Sequence, residues 1–127
     1  MGVSDKEIVD LDIEKFNDIT KMDGVVVIHL SAEWCGPCQA FTAVFHETAE
    51  QHDDVIFASL DTDTQPELGA AFNVKSIPTI AVMRGGAVIF THEGSLSENA
   101  LNDVIRQARA IKVEEVRKSV QAGLSQS

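Results

Sequence analysis

Trp34-Cys35-Gly36-Pro37-Cys38 is the stretch that decides how this chain is read. Two cysteines with two residues between them lie about one helical turn apart, which brings their Cα atoms within reach of a disulfide. The run before them, Val25-Val26-Val27-Ile28-His29-Leu30, is largely aliphatic and β-branched, as expected of a strand buried on both faces. The run after them carries Ala40, Phe41, Val44, Phe45 and Thr48 at helical spacing, an expected apolar face. The pair therefore belongs where a strand ends and a helix begins.

A cysteine at a helix N-terminus meets unpaired N–H groups and the positive end of the helix dipole, and both favour thiolate over thiol. That position falls to Cys35, which makes Cys35 the expected nucleophile and Cys38 the expected resolving thiol. Pro37 suits the first turn because its ring fixes φ and its missing N–H has no intrahelical partner there, while Gly36 lets another backbone approach. The chemistry that follows is dithiol-disulfide exchange. A bond between these cysteines closes too short a loop to stabilise the fold much. Zinc would need a second pair of ligands; His46 and His52 share one helix at a spacing of six and His29 lies in a strand, so no metal is expected.

Elsewhere, Ile8, Leu11, Ile13, Phe16 and Ile19 predict a short strand and then a helix ending near Met22-Asp23-Gly24. Val55 to Leu60 is a second buried strand, and Pro66 opens a short helix after the acidic segment from Asp61 to Gln65. Thr79 to Met83 and Ala87 to Thr91 flank Arg84-Gly85-Gly86, a hairpin signal that makes the sheet mixed. Ser97 with Ala100 three residues later only partly matches a capping box, while Glu98, Leu101, Val104, Ile105 and Ala108 predict an amphipathic helix. Weaker periodicity through Ile111, Val113, Val116 and Val120 extends it toward Gly123, with a frayed end and a polar tail, Ser125-Gln126-Ser127. The expected fold class is α/β, a central mixed β-sheet flanked by helices with an extended C-terminal helix. Residues 1–110 are expected to form the domain and 111–127 a helical extension and tail.

The 127 residues, 44% of them hydrophobic, suit a single core. Twenty acidic residues against ten basic ones give a net charge of −10, which opposes binding to nucleic acid or anionic lipid. Apolar runs such as Val25 to Ile28 are far shorter than the roughly 20 residues that span a bilayer. The first residues lack a basic segment followed by an apolar one, and Lys6 stands where a myristoylation signal after Met1-Gly2 needs Ser or Thr. The expected location is the cytoplasm, where paired thiols serve redox chemistry.

Ala32-Glu33-Trp34-Cys35-Gly36-Pro37-Cys38, followed by Ile77-Pro78-Thr79 and then Gly94, resembles the active-site pattern of the thioredoxin family, from roughly Val9 to Ala110. The resemblance implies the thioredoxin fold and a monomeric protein-disulfide reductase that carries electrons through a Cys35-Cys38 disulfide, with no bound cofactor. It implies disulfide-containing protein substrates, and electrons drawn indirectly from NADPH through a thioredoxin reductase. It further implies a cis Ile77-Pro78 peptide set against the cysteine pair, and a shallow apolar contact surface made by Trp34, Gly36, Pro37, Ile77, Pro78 and Gly94.

The chain also departs from the family. His29 stands where a buried aspartate usually assists deprotonation of the second cysteine, and Ser59 where a lysine usually partners it. Ser31 replaces an aromatic residue, Gln39 a lysine, and Glu93 an apolar residue beside the contact surface. His29 is a candidate catalytic support, either taking the Cys38 proton as a neutral imidazole or stabilising the thiolate when charged; the alternative is a hydrogen-bonded core histidine. These departures keep two further readings in view: a disulfide oxidase or isomerase on the same fold, and a binding module whose thiols are secondary.

Overall fold

Strand β2 (Val25–Ser31) runs through the middle of a five-stranded sheet, with every residue from Val25 to Leu30 buried. A strand covered by helices on both sides leaves neither face to water, so its unbroken aliphatic run is what such a position requires. The computed structural model describes residues 7–125, and their side chains as far as residue 120. In chain order the elements are β1 (Val9–Asp10), α1 (Ile13–Thr20), β2, α2 (Gly36–Ala49), β3 (Ile56–Asp61), α3 (Pro66–Ala71), β4 (Thr79–Arg84), β5 (Ala87–Glu93), α4 (Glu98–Ala110) and α5 (Val113–Ser125). The strands lie in the order β1-β3-β2-β4-β5. β1, β3 and β2 pair in parallel, β4 runs antiparallel to β2, and β5 antiparallel to β4. This is the mixed sheet that the hairpin signal predicts.

Alternation along β2 divides the interior in two. Val25 and Val27 face Phe41 and Phe45 of α2 and Leu101 and Ile105 of α4. Val26, Ile28 and Leu30 face Ile19 of α1 and Leu68 of α3. The inner face of α2 consists of Cys38, Phe41, Phe45, Thr48 and Ala49. This corrects the expected stripe: Ala40 is exposed and Val44 only half-buried, because the sheet meets the helix along the line that starts at Cys38. Thr48 is buried without penalty, since its hydroxyl donates to the Val44 carbonyl at 2.8 Å.

The β4–β5 turn is made by Gly85 and Gly86 at φ 61° and 83°, a left-handed pair that only glycine adopts easily. α4 starts on Ser97, whose hydroxyl accepts the Ala100 N–H at 3.1 Å. The C-terminal helical segment is present, but as a separate helix rather than a continuation of α4. Ile111 breaks the run in an extended conformation, and its carbonyl accepts from Arg84 Nε at 3.1 Å. Val113 and Val116 then pack over the bare turn at Gly85. The polar tail at Gln126 and Ser127, and the segment from Met1 to Lys6, lie outside the described residues. Among the described residues no helix is long and apolar enough to cross a membrane.

Candidate functional site

The chain leaves β2, makes a tight turn in which the Cys35 N–H donates to the Ala32 carbonyl at 3.1 Å, and enters α2. Cys35 is the N-cap, with an extended backbone at φ −86° and ψ 108°, and Pro37 follows in the first turn. The Cys35 Sγ accepts the Cys38 N–H at 3.2 Å. That N–H is one of the first-turn donors that the helix itself cannot satisfy. The two cysteines are joined as a disulfide with their Cα atoms 5.2 Å apart. Both are nearly buried, at 4% and 2% exposure. Gly36 keeps the approach to them open, since a Cβ there would meet nothing within 4 Å.

Trp34 stands out from this junction, 71% exposed. Its Nε1 donates to Asp63 Oδ2 at 2.8 Å, a contact across 29 positions. Asp63 is itself set by Asp61, whose Oδ1 accepts the N–H groups of Asp63 at 2.8 Å and Thr64 at 3.3 Å. Asp63 is a site residue that the sequence does not single out: Asp61 two positions ahead signals the local turn, but nothing local signals the bond to Trp34. Trp34 and Ile77 line one groove together with Pro66, Ala70 and Val74. The Ile77-Pro78 peptide is cis. Pro78 is buried, and its carbonyl accepts the Gly94 N–H at 2.7 Å. Gly94 holds φ 96°, a conformation that favours glycine. The groove thus joins Trp34 to Ile77, and the hydrogen bond joins Pro78 to Gly94.

His29 lies on the face of β2 that meets α2, at 3% exposure. Its ring packs edge-on against Phe41 at 4.9 Å and tilted against Phe45 at 5.4 Å, and its Nε2 has no hydrogen-bond partner. Burial, and to a lesser degree the nearby His46, pushes its pKa down to about 4. The ring is therefore neutral at neutral pH, so the charged form is not populated there. The core-histidine alternative holds in part, but without a hydrogen bond to Nε2.

Ser59 sits opposite His29 in the β2–β3 ladder and opposite Asp10 in the β1–β3 ladder. Its hydroxyl donates to Asp10 Oδ1 at 2.7 Å. Asp10 and Ser59, with Asp12, Lys15, Asp61 and Cys38, line an open cleft of about 830 Å³. In the sequence Ser59 is notable only as a missing lysine, and no local pattern signals a bond between residues 49 positions apart.

Comparison with known proteins places this geometry in a family. The thioredoxin family model matches residues 7–107. A putative thioredoxin 2 of Streptomyces coelicolor is 44% identical over 112 residues, covering 88% of this chain and 84% of the relative. A bifunctional thioredoxin reductase/thioredoxin of Mycobacterium leprae is 36% identical over 91 residues, 71% of this chain and 20% of that protein. Among solved structures, the thioredoxin of Malassezia sympodialis superposes with a TM-score of 0.78 at 28% identity, over 87% of this chain and 97% of its own. Since the match spans the sheet, the helices around it and the disulfide at the start of α2, the chain belongs to the thioredoxin family of thiol-disulfide oxidoreductases, whose redox group is the cysteine pair itself and which carry no bound cofactor.

Proposed function

We propose that this chain reduces disulfides in other proteins, with Cys35 as the nucleophile and Cys38 as the resolving thiol, and that a thioredoxin reductase regenerates it with electrons from NADPH. One observation carries the assignment: Cys35 caps α2 and its sulfur takes the Cys38 N–H, whereas Cys38 lies inside the first turn. A negative sulfur gains from that donor and from the helix dipole, so the thiolate forms preferentially at Cys35. It attacks one sulfur of a substrate disulfide and expels the other as a thiolate. Cys38 then attacks the Cys35 sulfur of the mixed disulfide, releasing the second substrate thiolate and leaving the Cys35–Cys38 bond.

Trp34, Ile77, Pro78 and Gly94 hold an extended substrate segment, while Gly36 and Pro37 shape the surface beside the sulfur. His29 supports α2 from below as a neutral ring packed on Phe41 and Phe45. It positions the helix rather than moving a proton, because its ring is packed against Phe41 and Phe45, its Nε2 has no hydrogen-bond partner, and it does not line the cleft that reaches Cys38. Residues 1–110 form the working domain and 111–127 an appended extension. The protein acts as a monomer in the cytoplasm, on protein substrates and without nucleic acid or membrane.

The test is NADPH-coupled insulin reduction with a bacterial thioredoxin reductase. Turnover is expected for the wild type and none for Cys35→Ser, while Cys38→Ser accumulates a covalent mixed disulfide visible in intact mass. A reduction potential of about −270 mV fits the reductase; one at about −180 mV or above transfers the assignment to an oxidase or isomerase. Absence of turnover with either the reductase or glutathione would leave the binding module.

A further inference from the structure

Resolution requires Cys38 to lose a proton, because the thiolate and not the thiol attacks sulfur. The ring of His29 packs against Phe41 and Phe45, and Cys38 itself is 2% exposed. The cleft beside β1 and β3 reaches Cys38, and its polar walls leave space for many waters at ~30 Å³ each. Four carboxylates line it, those of Asp10, Asp12, Glu33 and Asp61, and the three aspartates differ in what already occupies them. Asp12 caps α1 by accepting the Lys15 N–H at 2.8 Å, and Asp61 accepts two backbone N–H groups in the loop that follows β3. Asp10 is held by a hydroxyl, that of Ser59 at 2.7 Å. It is exposed at the sheet edge, so a proton received there passes on to solvent.

We propose that Asp10, oriented by the Ser59 hydroxyl, accepts the Cys38 proton through water in this cleft as Cys38 attacks the mixed disulfide. The inference rests on the reading of Cys35 as nucleophile and Cys38 as resolving thiol. The electron pair of the Cys38 S–H bond becomes the new Cys38–Cys35 bond, and the bond from Cys35 to the substrate sulfur breaks, with the substrate leaving as a thiolate. The proton moves through water to Asp10 and then to bulk solvent, so no further oxidant or reductant takes part. The groups that line the cleft with Asp10 are Ser59 and Asp61 of β3, Asp12 and Lys15 at the start of α1, Glu33 in the turn between β2 and α2, and Cys38 in the first turn of α2. Asp10 and Ser59 are positioning residues for proton transfer, acting on Cys38 through water.

The experiment mixes reduced protein with dithiobis(nitrobenzoate) in a stopped-flow spectrometer. The first coloured thiolate reports attack by Cys35 and the second reports attack by Cys38. Asp10→Asn is expected to leave the first phase unchanged and to slow the second about 5- to 10-fold at neutral pH, less than the roughly 100-fold or more of a directly positioned base because the path is open and runs through water. The deficit closes at alkaline pH, where hydroxide removes the proton directly. Ser59→Ala shows the same pattern at about 2- to 3-fold, and Asp10→Glu restores the rate. The proposal is overturned if the second phase of a folded Asp10→Asn protein equals that of the wild type, or if it is slowed equally at every pH. It is also overturned if Glu33→Gln carries the deficit instead. Should Asp10→Asn fail to fold, Ser59→Ala decides by the same two criteria. A wild type with no first phase would instead refute the assignment of Cys35.

Discussion

Replacing His29 with leucine removes a buried ring nitrogen that has no partner, and the effect on stability should depend on pH in a defined way. In the folded protein the ring has a pKa of about 4, lowered by burial and then by His46, whereas in the unfolded chain it returns to about 6.5. Between those values the unfolded state binds more protons than the folded one. Stability therefore falls as pH drops through about 6.5 and continues to fall until about 4. Integrated from about pH 8 to about pH 5, this residue accounts for a loss of about 2 kcal/mol in the wild type and none in His29→Leu. At the upper pH the imidazole is neutral in both states and packing decides. Leucine relieves the unpaired nitrogen, worth about 1–3 kcal/mol, and gives up the edge contact with Phe41, worth about 0.5–1.5 kcal/mol. The variant should thus exceed the wild type by about 1 kcal/mol at the upper pH and by about 3 kcal/mol at the lower. Urea unfolding of the oxidised proteins, followed by circular dichroism with matched m-values, measures both differences. A difference between variant and wild type that stays constant with pH would refute the reasoning.

Three further outcomes can be checked on the same footing. Gly86→Ala should destabilise by about 2–3 kcal/mol in urea, since φ at that position is 83° and the new Cβ would lie 2.6 Å from the Thr20 carbonyl oxygen. Two bonds from the Arg109 guanidinium, at 2.7 and 2.8 Å, hold the Asp54 carboxyl at about 2. That contribution is present above the unfolded value near 3.9 and is lost as pH falls toward about 2; being exposed to solvent it is worth under about 1 kcal/mol, and acid titration of Asp54→Asn should lack it. Truncation after Ala110 should keep insulin reduction within about twofold while lowering Tm by several degrees, because it removes the Arg117–Asp23 ion pair and uncovers the Gly85 turn.

The parts of the fold that local pattern controls were legible in the sequence. The uninterrupted aliphatic run of β2, the cysteines at the mouth of a helix, the Gly85-Gly86 turn and the Ser97 cap each depend on neighbours within a few positions. What escaped depends on partners far along the chain. Ala40 and Ala49 are equally plausible inner residues of α2 until the sheet beneath fixes which line of side chains it meets. The break between α4 and α5 follows from Arg84 taking the Ile111 carbonyl across 27 positions, and nothing in the run from Ile111 to Val116 announces it. In the site, the strand leading into a cysteine pair at a helix start could be read directly, whereas the cis Ile77-Pro78 peptide and the place of Gly94 followed only from the family resemblance. The Trp34–Asp63 and Ser59–Asp10 bonds could not be read, and neither could the protonation of His29, which is set by its burial in the core and then by His46.

Hairpin tips are usually where a chain best tolerates an inserted tag or a grafted loop. This one is wedged from two directions: the space beside Gly86 is taken by the carbonyl at the end of α1, and the space beside Gly85 by Val113 of the last helix. An engineer who wished to display a peptide on this scaffold would find the conventional choice the worst one. The tip acts as a keystone between early and late parts of the chain, and a payload there would prise both away from the sheet.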